Sequence, residues 1–365
     1  MKILFLGAYD DADIILAPIK VGKELFKNLS LLQVNILYLC YFDDGRKYTR
    51  IKKLFGFEKI SERVFRSGIF PLLLFVIKYK PDIIQIVTPD AFYIPLFLLK
   101  PILKFKLAYL SHSMISYSIK NFLQLNCYQK LRFRIIEKIV LRYSDVLEVL
   151  SNVEVRFLTR LLKVKNEKIR IVGNGLNPYG MKKEYTERSD VIKIIFVGSI
   201  NRKEKSFVYL LDALSEINYR VSLSVYSYEE QAKGNIEIPN NVQLYFGKPL
   251  TEIELRKEFC KNDLFIIPSR RDTFPLSLLE AMDTGILFIS SDRVGLTERF
   301  PELFKQFVVP YGNKEVLSTK ILEIHNYDIE EKNKLADNIR DFVSNFTWTN
   351  VTDAYIKIYY QMKLQ

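Results

Sequence analysis

The sequence predicts an α/β protein made of two consecutive Rossmann-like lobes, each built around a mostly parallel sheet. Short apolar runs alternate with segments of helical periodicity through the first half of the chain. A polar stretch with Gly, Pro and Asn, residues 173–187, interrupts this alternation, which then restarts. Strands separated by helical patterns are typical of βαβ units. A length of 365 residues also fits two domains of ordinary size.

Each predicted strand of the first half is a short apolar run that ends at Gly, Ser or another polar residue. A helical pattern of apolar residues covers about residues 21–31. The predicted strands are 2–6, 34–40, 82–87, 106–110, 146–150 and 168–172.

The second half repeats this organisation. Helices are predicted at about 207–214 and 275–282, and the C-terminal part is mainly helical, ending in 348–364. The predicted strands are 192–197, 219–226, 242–246, 264–267 and 287–290.

The composition excludes several protein classes. With 48% hydrophobic and 26% charged residues, the chain is neither disordered nor a collagen or coiled coil. Three distant cysteines without a CxxC pair support neither a disulfide framework nor a zinc knuckle, and they favour a reducing, cytoplasmic setting. The most apolar stretches, 70–77 and 91–99, are shorter than the ~20 residues that span a bilayer, so we expect no transmembrane helix.

The positive charge is concentrated in the first half. Residues 1–175 carry 29 Lys and Arg against 15 Asp and Glu, whereas residues 176–365 carry 25 against 27. A polyanionic partner is therefore expected for the first half, with an anionic membrane surface, nucleic acid and an acidic polymer as candidates. A lysine-rich proteome would raise the charge of both halves and explains the asymmetry poorly.

The basic stretch 121–142 interleaves Lys and Arg with apolar residues, as an amphipathic helix on an anionic membrane does. An ordinary helix with one face in the core has the same pattern, so both interpretations stay open. A second candidate for the interfacial patch lies in 91–99. Its apolar residues are Phe92, Tyr93, Pro95, Leu96 and Phe97.

The segment 266–292 carries the most informative chemistry. A predicted strand ends in a polar loop, and Pro275 stands where the first turn of a helix begins, a position that tolerates a missing N–H. Free amides at a helix N-terminus bind phosphate well. Glu280 falls inside this helix among apolar neighbours, where a carboxylate needs a partner, and the vicinal diol of a ribose would serve. A solvated or Arg-paired Glu is the alternative.

This segment resembles the signature of the retaining glycosyltransferases of family 4, which have the GT-B fold. In that family two acidic residues flank seven others, and here Asp272 and Glu280 hold those positions. Further motifs of the family follow in the expected order. They are Tyr109-Leu-Ser-His112, Ser144-Asp145 to Ser151, Ile169-Arg-Ile-Val-Gly-Asn-Gly175, Ile194-Ile-Phe-Val-Gly198 with Lys205, Asp292-Arg-Val-Gly-Leu-Thr-Glu298, and Phe346-Thr-Trp348.

The resemblance implies roles for individual residues. Glu280 would bind the ribose hydroxyls of a nucleotide-sugar, Asp272 would contact the donor sugar, and Lys205 would neutralise the pyrophosphate as it leaves. His112 would face the donor sugar from the first lobe. The remaining donor-site candidates are Gly198, Arg202, Phe274, Pro275, Leu276 and Ser277, and the N-lobe loop candidates are Gly7 and Gly22.

Some positions depart from the family pattern. Asp272 replaces the usual Glu and is one methylene shorter. Ser199 stands where Arg is frequent, which makes Arg202 a candidate to supply the charge. Pro275 replaces a glycine of the phosphate loop and removes one N–H donor. Gly7 and Gly22 replace the usual Gly-Gly pair of the first loop, and both also fit ordinary turn or cap positions.

The resemblance also implies an organisation and an activity. Residues 1–176 would bind the acceptor, 177–345 would bind the nucleotide-sugar, and the helix in 346–365 would cross back onto the first lobe, with an interlobe cleft between the two. The activity would be retaining, metal-independent transfer of a hexose from a UDP- or GDP-type donor to a glycan or lipid-linked acceptor, without a cofactor. The setting would be cytoplasmic, with the inner face of the cell membrane as a candidate docking surface in polysaccharide or glycolipid synthesis.

Other functions are weighed against this one. A nucleotide-sugar epimerase of GT-B type would keep the diphosphate site, and a degenerate lobe would bind the nucleotide-sugar without catalysis. A phosphorylase would need a lysine for a pyridoxal cofactor, which the sequence does not identify. Nucleic-acid binding leaves the second lobe unexplained and lacks a known module. A dinucleotide-dependent oxidoreductase would need G-x-G-x-x-G after a strand, and Gly173-Asn-Gly175 does not continue in that way.

Overall fold

The computed structural model describes residues 1–10, 12, 17–42, 48–88, 90–112, 126–187, 189–227 and 236–364. The chain forms two compact units. Unit 1 comprises Met1–Asn174 together with Trp348–Gln365, and unit 2 comprises Gly175–Thr347. The last helix of the chain therefore belongs to the unit that contains the N-terminus.

Unit 1 is built on an eight-stranded sheet in the order β3-β4-β2-β1-β5-β6-β7-β8. All pairs are parallel except the edge pair of β3 and β4. The strands are β1 (Lys2–Leu6), β2 (Asn35–Tyr41), β3 (Phe57–Lys59), β4 (Val64–Ser67), β5 (Ile83–Ile86), β6 (Lys106–Leu110), β7 (Val146–Val149) and β8 (Ile169–Ile171). The helices before the linker are α1 (Ala17–Ser30), α2 (Arg50–Phe55), α3 (Ile69–Tyr79), α4 (Ile94–Leu103), α5 (Cys127–Tyr143) and α6 (Asn152–Arg160).

Unit 2 has a six-stranded, wholly parallel sheet in the order β11-β10-β9-β12-β13-β14. Its strands are β9 (Val191–Val197), β10 (Arg220–Tyr226), β11 (Val242–Phe246), β12 (Leu264–Ile267), β13 (Leu287–Ser291) and β14 (Val308–Val309). Its helices are α7 (Phe207–Leu214), α8 (Glu252–Lys261), α9 (Leu276–Thr284), α10 (Glu302–Lys305), α11 (Lys314–Asn326) and α12 (Ile329–Val343).

The sheet orders place a topological switch point in each unit. In unit 1 the chain proceeds from β1 outward to β2 on one side and later to β5 on the other; in unit 2 it proceeds from β9 to β10 and later to β12. Ligands of open α/β sheets bind outside the carboxyl ends of the strands at such points. We therefore expect a ligand site at the β1–β5 junction of unit 1 and at the β9–β12 junction of unit 2.

The last helix, α13 (Trp348–Leu364), packs against α1 of unit 1. Its inner face is mostly apolar, but the Tyr359 hydroxyl donates a hydrogen bond to Oε1 of Gln85 on β5 at 2.7 Å. Gln85 in turn donates from Nε2 to Oε2 of Glu148 on β7 at 2.7 Å. All three side chains are fully buried. This chain of hydrogen bonds fixes where α13 lies on the sheet.

Local sequence signals set several helix ends. Asn126 and Gln129 form a reciprocal capping box at the start of α5, and Thr251 and Glu254 do the same for α8. Helix α9 ends at Gly285, which has a left-handed φ of 77°. A Cβ at this position would lie 3.0 Å from the carbonyl oxygen of Ala336 and would overlap the guanidinium of Arg340. Glycine is therefore required at this turn.

The predicted strands are confirmed to within about one residue at each end, and the 2–6, 106–110, 242–246 and 264–267 strands are confirmed without change. The short strands β3, β4 and β14 and the helices α2, α3, α4, α6 and α8 were not predicted. Of the basic stretch 121–142, residues 121–125 lie outside the described part, and the helix begins at Cys127.

The interfacial patch predicted in 91–99 is wrong for its central residues. Tyr93, Leu96 and Phe97 are buried in the core of unit 1, because they face the sheet through the first turns of α4. The exposed apolar residues of this helix are instead Leu98 and Ile102. Within the described residues, no helix has the length and apolar character needed to cross a bilayer.

Candidate active site

The candidate site of unit 2 lies at its switch point, where the loops after β9 and β12 are joined. The backbone N–H of Arg270, just after β12, donates to the carbonyl oxygen of Glu204 at 2.8 Å and contacts Oγ of Ser206 at 3.1 Å. Two loops that are more than sixty residues apart in the chain are thereby held side by side. Each carries a candidate donor-site residue, Lys205 in the first and Asp272 in the second.

Lys205 is positioned by a tight turn before α7. The turn Lys203–Lys205 is a 3₁₀ helix, and Ser206 then adopts a left-handed conformation with φ of 57° before Phe207 enters the core. The lysine stem passes over Gly198, since a Cβ on that glycine would lie 3.5 Å from Cδ of Lys205. Gly198 is therefore the floor on which the lysine stem lies.

The Lys205 ammonium reaches Asp272. Its Nζ lies 2.6 Å from Oδ2 of Asp272, and both side chains are mostly buried. The backbone of Asp272 is pinned to the loop after β13, because its N–H donates to the carbonyl of Arg293 at 3.2 Å and its carbonyl accepts from Gly295 at 2.8 Å. Two groups that the sequence singled out separately thus form one ion pair.

Helix α9 begins directly after this loop. Pro275 is its N-cap rather than its first residue, and no side chain caps the first turn. The first amides of a helix have no intrahelical acceptor, so those of Leu276 and Ser277 point out of its N-terminus with the positive end of the helix dipole. The Phe274 side chain is buried, 5.0 Å from Arg299 and 6.0 Å from the ring of Phe346. The Phe274 side chain therefore belongs to the core of unit 2 and is not placed to contact a ligand.

Glu280 lies in the second turn of α9. It is 4% exposed, between Leu279 and Ala281, which are fully buried. Burying a carboxylate is unfavourable unless it is paired and hydrogen-bonded. The carboxylate of Glu280 is thus held at a fixed place, one turn from the N-terminus of α9.

Arg202 is exposed, and its main chain closes the Lys205 turn, with its carbonyl oxygen accepting from the Lys205 N–H at 2.9 Å.

The structure also adds two residues to the site that were not predicted from the sequence. Ser206 donates to the Tyr311 hydroxyl at 3.2 Å, and the Tyr311 N–H donates to Asp292 at 2.9 Å. The position of Ser206 at the start of a helix was the only sequence feature that could have indicated it. No sequence feature indicated Tyr311, because it reaches the site from the segment after β14.

In unit 1, Gly7 and Gly22 meet at the other switch point. A Cβ on Gly7 would lie 2.8 Å from the Tyr38 hydroxyl, and one on Gly22 would lie 2.7 Å from a methyl group of Val87. Gly22 is inside α1 rather than in a loop. Both glycines therefore have a packing role, which is to let α1 and the end of β1 approach β2 and β5.

His112 follows β6 in unit 1. It is partly buried, and desolvation lowers its pKa to about 4, so its imidazole is neutral at physiological pH. The preceding residue, Ser111, donates to Oε1 of the buried Glu154 at 3.2 Å, while Oε2 accepts from the Leu150 N–H at 2.7 Å. Glu154 thus ties the end of β6, and with it His112, to the end of β7.

The arrangement in unit 2 combines a cation, a helix N-terminus and a buried carboxylate around one switch point. The cation and the amides suit a diphosphate, and preorganised positive charge stabilises a departing oxyanion. Among the described residues, no cluster of three or more His, Cys, Asp or Glu side chains is placed to hold a metal ion. Metal independence itself stays a prediction.

Two family models match the chain in succession. Residues 23–179 match the model described as Glycosyltransferase Family 4, and residues 180–342 match the one described as Glycosyl transferases group 1. The boundary between the matches falls close to the junction of unit 1 and unit 2. The chain belongs to the family 4, group 1 glycosyltransferases, and its fold is GT-B.

One curated relative is 26% identical over 315 residues, covering 80% of this chain and 83% of the relative. It is described as an uncharacterized 41.2 kDa protein in the cps region of Klebsiella pneumoniae. Among solved structures, sucrose-phosphate synthase from Thermosynechococcus elongatus is similar with a TM-score of 0.76 at 16% identity, covering 99% of both chains. The Anabaena protein HepE in complex with UDP-glucose has a TM-score of 0.70 at 16% identity, covering 98% of this chain and 99% of its own. At these identities the likeness shows the fold.

Proposed function

We propose that this protein is a retaining glycosyltransferase that moves a hexose from a UDP- or GDP-type nucleotide-sugar to a glycan or lipid-linked acceptor. The observation that carries the proposal is the Lys205–Asp272 ion pair at the switch point of unit 2, beside the uncapped N-terminus of α9. Family membership supports the transferase class. A similar fold that holds UDP-glucose supports the donor class.

The diphosphate of the donor would lie between Lys205 and the first amides of α9. When the bond between the sugar C1 and the diphosphate oxygen breaks, the electron pair leaves with the nucleoside diphosphate. Lys205 and the amides of Leu276 and Ser277 then stabilise the added negative charge. No ion other than these protein groups is required by the proposal.

Asp272 would exchange partners when the donor binds. The Asp272 carboxylate neutralises Lys205, with Oδ2 of Asp272 2.6 Å from Nζ of Lys205. Once the diphosphate takes the ammonium, the Asp272 carboxylate becomes free to accept hydrogen bonds from sugar hydroxyls. Its pinned backbone keeps it in place through this exchange.

Glu280 would accept hydrogen bonds from both ribose hydroxyls. Its carboxylate lies in the second turn of α9, the helix whose first amides would bind the diphosphate. His112, neutral because of desolvation, is the proposed hydrogen-bond partner of a sugar hydroxyl. Envelope polysaccharide or glycolipid synthesis is the proposed setting, and the relative from the cps region supports it.

A thermal-shift panel with UDP, GDP, ADP, CMP and dTDP tests the donor site. A ligand at a hundred times its dissociation constant stabilises the folded state by about 2.7 kcal/mol. We expect one nucleoside diphosphate to stabilise the wild type but not Glu280→Ala. Glu302→Ala is the matched control, because Glu302 is on the surface of unit 2 with its side chain 87% exposed. No shift with any nucleotide at millimolar concentration would overturn the proposed donor site.

The identified nucleotide then selects the sugars to be tested. Transfer from the α-linked donor to a glycan or lipid-linked acceptor should give an α-linked product by NMR, which establishes retention. Epimerised donor without transfer would instead identify an epimerase. Tight nucleotide-sugar binding with neither product would identify a non-catalytic binding protein.

A further inference from the structure

Three consecutive helices of unit 1 carry apolar side chains on their outer surface. On α3 these are Phe70, Leu74 and Ile77, which recur at helical spacing along one side, and Leu74 is 67% exposed. On α4, Leu98 and Ile102 are both more than 70% exposed and lie one turn apart. We call the following set the apolar face: Ile51, Phe55, Phe70, Leu74, Ile77, Leu98 and Ile102.

The apolar face extends over three helices that pack on one another. It is separate from the stripe of residues that α3 and α4 bury in the core. Helix α2 packs on α3, and α3 packs on α4. The rings of Phe55 and Phe70 stack with centroids 4.9 Å apart although both are about half exposed. Helices α3 and α4 already bury a separate stripe in the core, through residues such as Leu72, Val76 and Leu96. Both helices are therefore apolar on two sides, whereas surface helices of globular proteins normally are so on one.

The charge around this face is predominantly positive. Residues 50–143 carry 17 Lys and Arg against 5 Asp and Glu, which accounts for the whole net charge of +12 of the chain. Helices α2, α3, α4 and α5 together hold ten basic residues and one acidic residue, Glu137, which is buried. Glu58, on the neighbouring β3, forms ion pairs with Lys52 and Arg66.

The first half of α5 adds exposed cations and apolar groups. Between Tyr128 and Ile135 this helix is open to solvent on nearly all sides. Arg132 and Arg134 alternate there with Leu131, Phe133 and Ile135, all of them exposed. Helix α5 packs on α4 through its C-terminal end, where the rings of Phe97 and Tyr143 stack with centroids 5.3 Å apart.

Exposed aliphatic and aromatic side chains on a predominantly basic surface match one kind of partner. Anionic lipid headgroups attract the Lys and Arg side chains, and the interfacial region accommodates the apolar ones. A second copy of this chain fits poorly, because a symmetric contact brings the same patch of both subunits together and would oppose like charges. Nucleic acid would use the cations but not Leu74, Leu98 and Ile102.

We propose that the apolar face seats unit 1 on an anionic lipid bilayer, with the cations of α2, α3, α4 and α5 against the headgroups. This docking is independent of the proposed transferase activity. If both hold, it delivers a lipid-linked acceptor to the unit that the family resemblance assigns to acceptor binding.

Vesicle sedimentation of the full chain tests this docking. We expect binding to vesicles of phosphatidylglycerol and phosphatidylcholine at low salt, at least tenfold weaker binding to phosphatidylcholine alone, and a similar loss in high salt. The double variant Leu74→Ser with Leu98→Ser should bind the mixed vesicles at least tenfold more weakly. Its control is Ile253→Ser with Leu303→Ser, which removes two exposed apolar residues of unit 2.

An introduced fluorophore provides a direct readout. The chain has one tryptophan, Trp348, which is buried. In a Trp348→Phe background, Leu98→Trp should shift its emission to the blue when mixed vesicles are added, and Val208→Trp in unit 2 should not. The unfolding midpoint of each variant verifies that it is folded.

Three results would overturn the proposal. One is equal vesicle binding by the Leu74/Leu98 double variant and the wild type. Another is a wild-type dimer in sedimentation equilibrium that this double variant dissociates, which would assign the face to self-association. The third is RNA binding that Arg132→Glu with Arg134→Glu abolishes, in a protein that ignores vesicles. The nucleotide thermal shift should persist in every docking variant, so failure of docking and failure of the donor site are distinguishable.

Discussion

The ammonium nitrogen of Lys205 lies 2.6 Å from Oδ2 of Asp272, although 67 positions separate the two residues in the chain. Each is held independently, the lysine by the turn that ends at Ser206 and the aspartate by the loop after β13. The pair therefore depends on two separate backbone anchors. Under the proposed function, the donor diphosphate competes with Asp272 for the Lys205 ammonium, and we expect the two residues to have opposite effects on nucleotide affinity.

Lys205→Ala should weaken binding of the donor nucleoside diphosphate about tenfold or more and slow transfer at least about a hundredfold, because it removes a cation from the leaving group. Asp272→Asn should leave nucleotide affinity unchanged or raise it, because it removes the competing carboxylate, and should still lower transfer. Calorimetry and initial rates measure both. Lys203→Ala, an exposed lysine of the same turn, is the control. Equal loss of nucleotide affinity in the Lys205 and Asp272 variants would contradict the exchange.

Glu280→Gln should lower the preference for ribose over deoxyribose. A hydrogen bond to a charged group contributes about 1.5–3 kcal/mol. The wild type should thus bind the donor nucleoside diphosphate at least about tenfold more tightly than its 2′-deoxy analogue, and the variant should discriminate much less. Titration calorimetry with the two nucleotides measures this ratio. Undiminished discrimination in the variant would exclude contact between Glu280 and the ribose.

His112 should not contribute an inflection to the pH profile of transfer above about pH 5. Desolvation lowers its pKa to about 4, so it is neutral through the range in which most enzymes work. We expect His112→Gln to keep more activity than His112→Ala, since an amide can also donate to a sugar hydroxyl. The measurement is kcat/KM from pH 5.5 to 8.5. A wild-type inflection near pH 6.5 that His112→Gln abolishes would contradict a neutral role.

Glu148 should make unit 1 less stable as the pH rises. Burial raises its pKa from the ordinary value of a glutamate, 4.5, to about 8, so the folded state keeps its proton where the unfolded state has lost it. Its stabilising contribution is complete below pH 4.5 and is lost between there and about pH 8, by up to about 1.4 kcal/mol per pH unit. The free energy of unfolding of Glu148→Gln relative to wild type should rise over this interval. Fluorescence of Trp348, the only tryptophan and a residue of unit 1, follows the transition. A difference in the free energy of unfolding between Glu148→Gln and the wild type that does not change with pH would show that Glu148 is not protonated in the folded state.

Tyr359→Phe should destabilise the docking of α13. It removes the donor to Oε1 of Gln85, and a buried polar group left without its partner costs about 1–3 kcal/mol. Tyr360→Phe is the matched control on the same helix, because Tyr360 is exposed and should change the stability by less than about 0.5 kcal/mol. Urea unfolding monitored at Trp348 measures both. A Tyr359→Phe protein as stable as the control would show that Gln85 finds another donor.

Local patterns in the sequence predicted most strands of both units. The core strands are short, continuous apolar runs between polar residues, because both faces of a parallel sheet are covered. The edge strands β3 and β4 lack such runs, since their burial is partial, and the sequence analysis missed them. Helix α4 shows the same limit, because its continuous apolar stretch does not reveal that Leu96 faces the core and Leu98 the solvent.

The sequence by itself determined the family, the doubly wound sheets and the candidate donor residues, since each depends on residue types at short spacing that a reader can find without coordinates. Only the tertiary structure decided that Lys205 pairs with Asp272, that Glu148 is buried beneath α13, and that α2, α3 and α4 expose apolar side chains such as Leu74 and Leu98. These facts depend on which segments meet across the sheets. Contacts between distant parts of a chain cannot be found from local sequence periodicity, because packing of the whole unit, and not the adjacent residues in the sequence, determines which side chains meet.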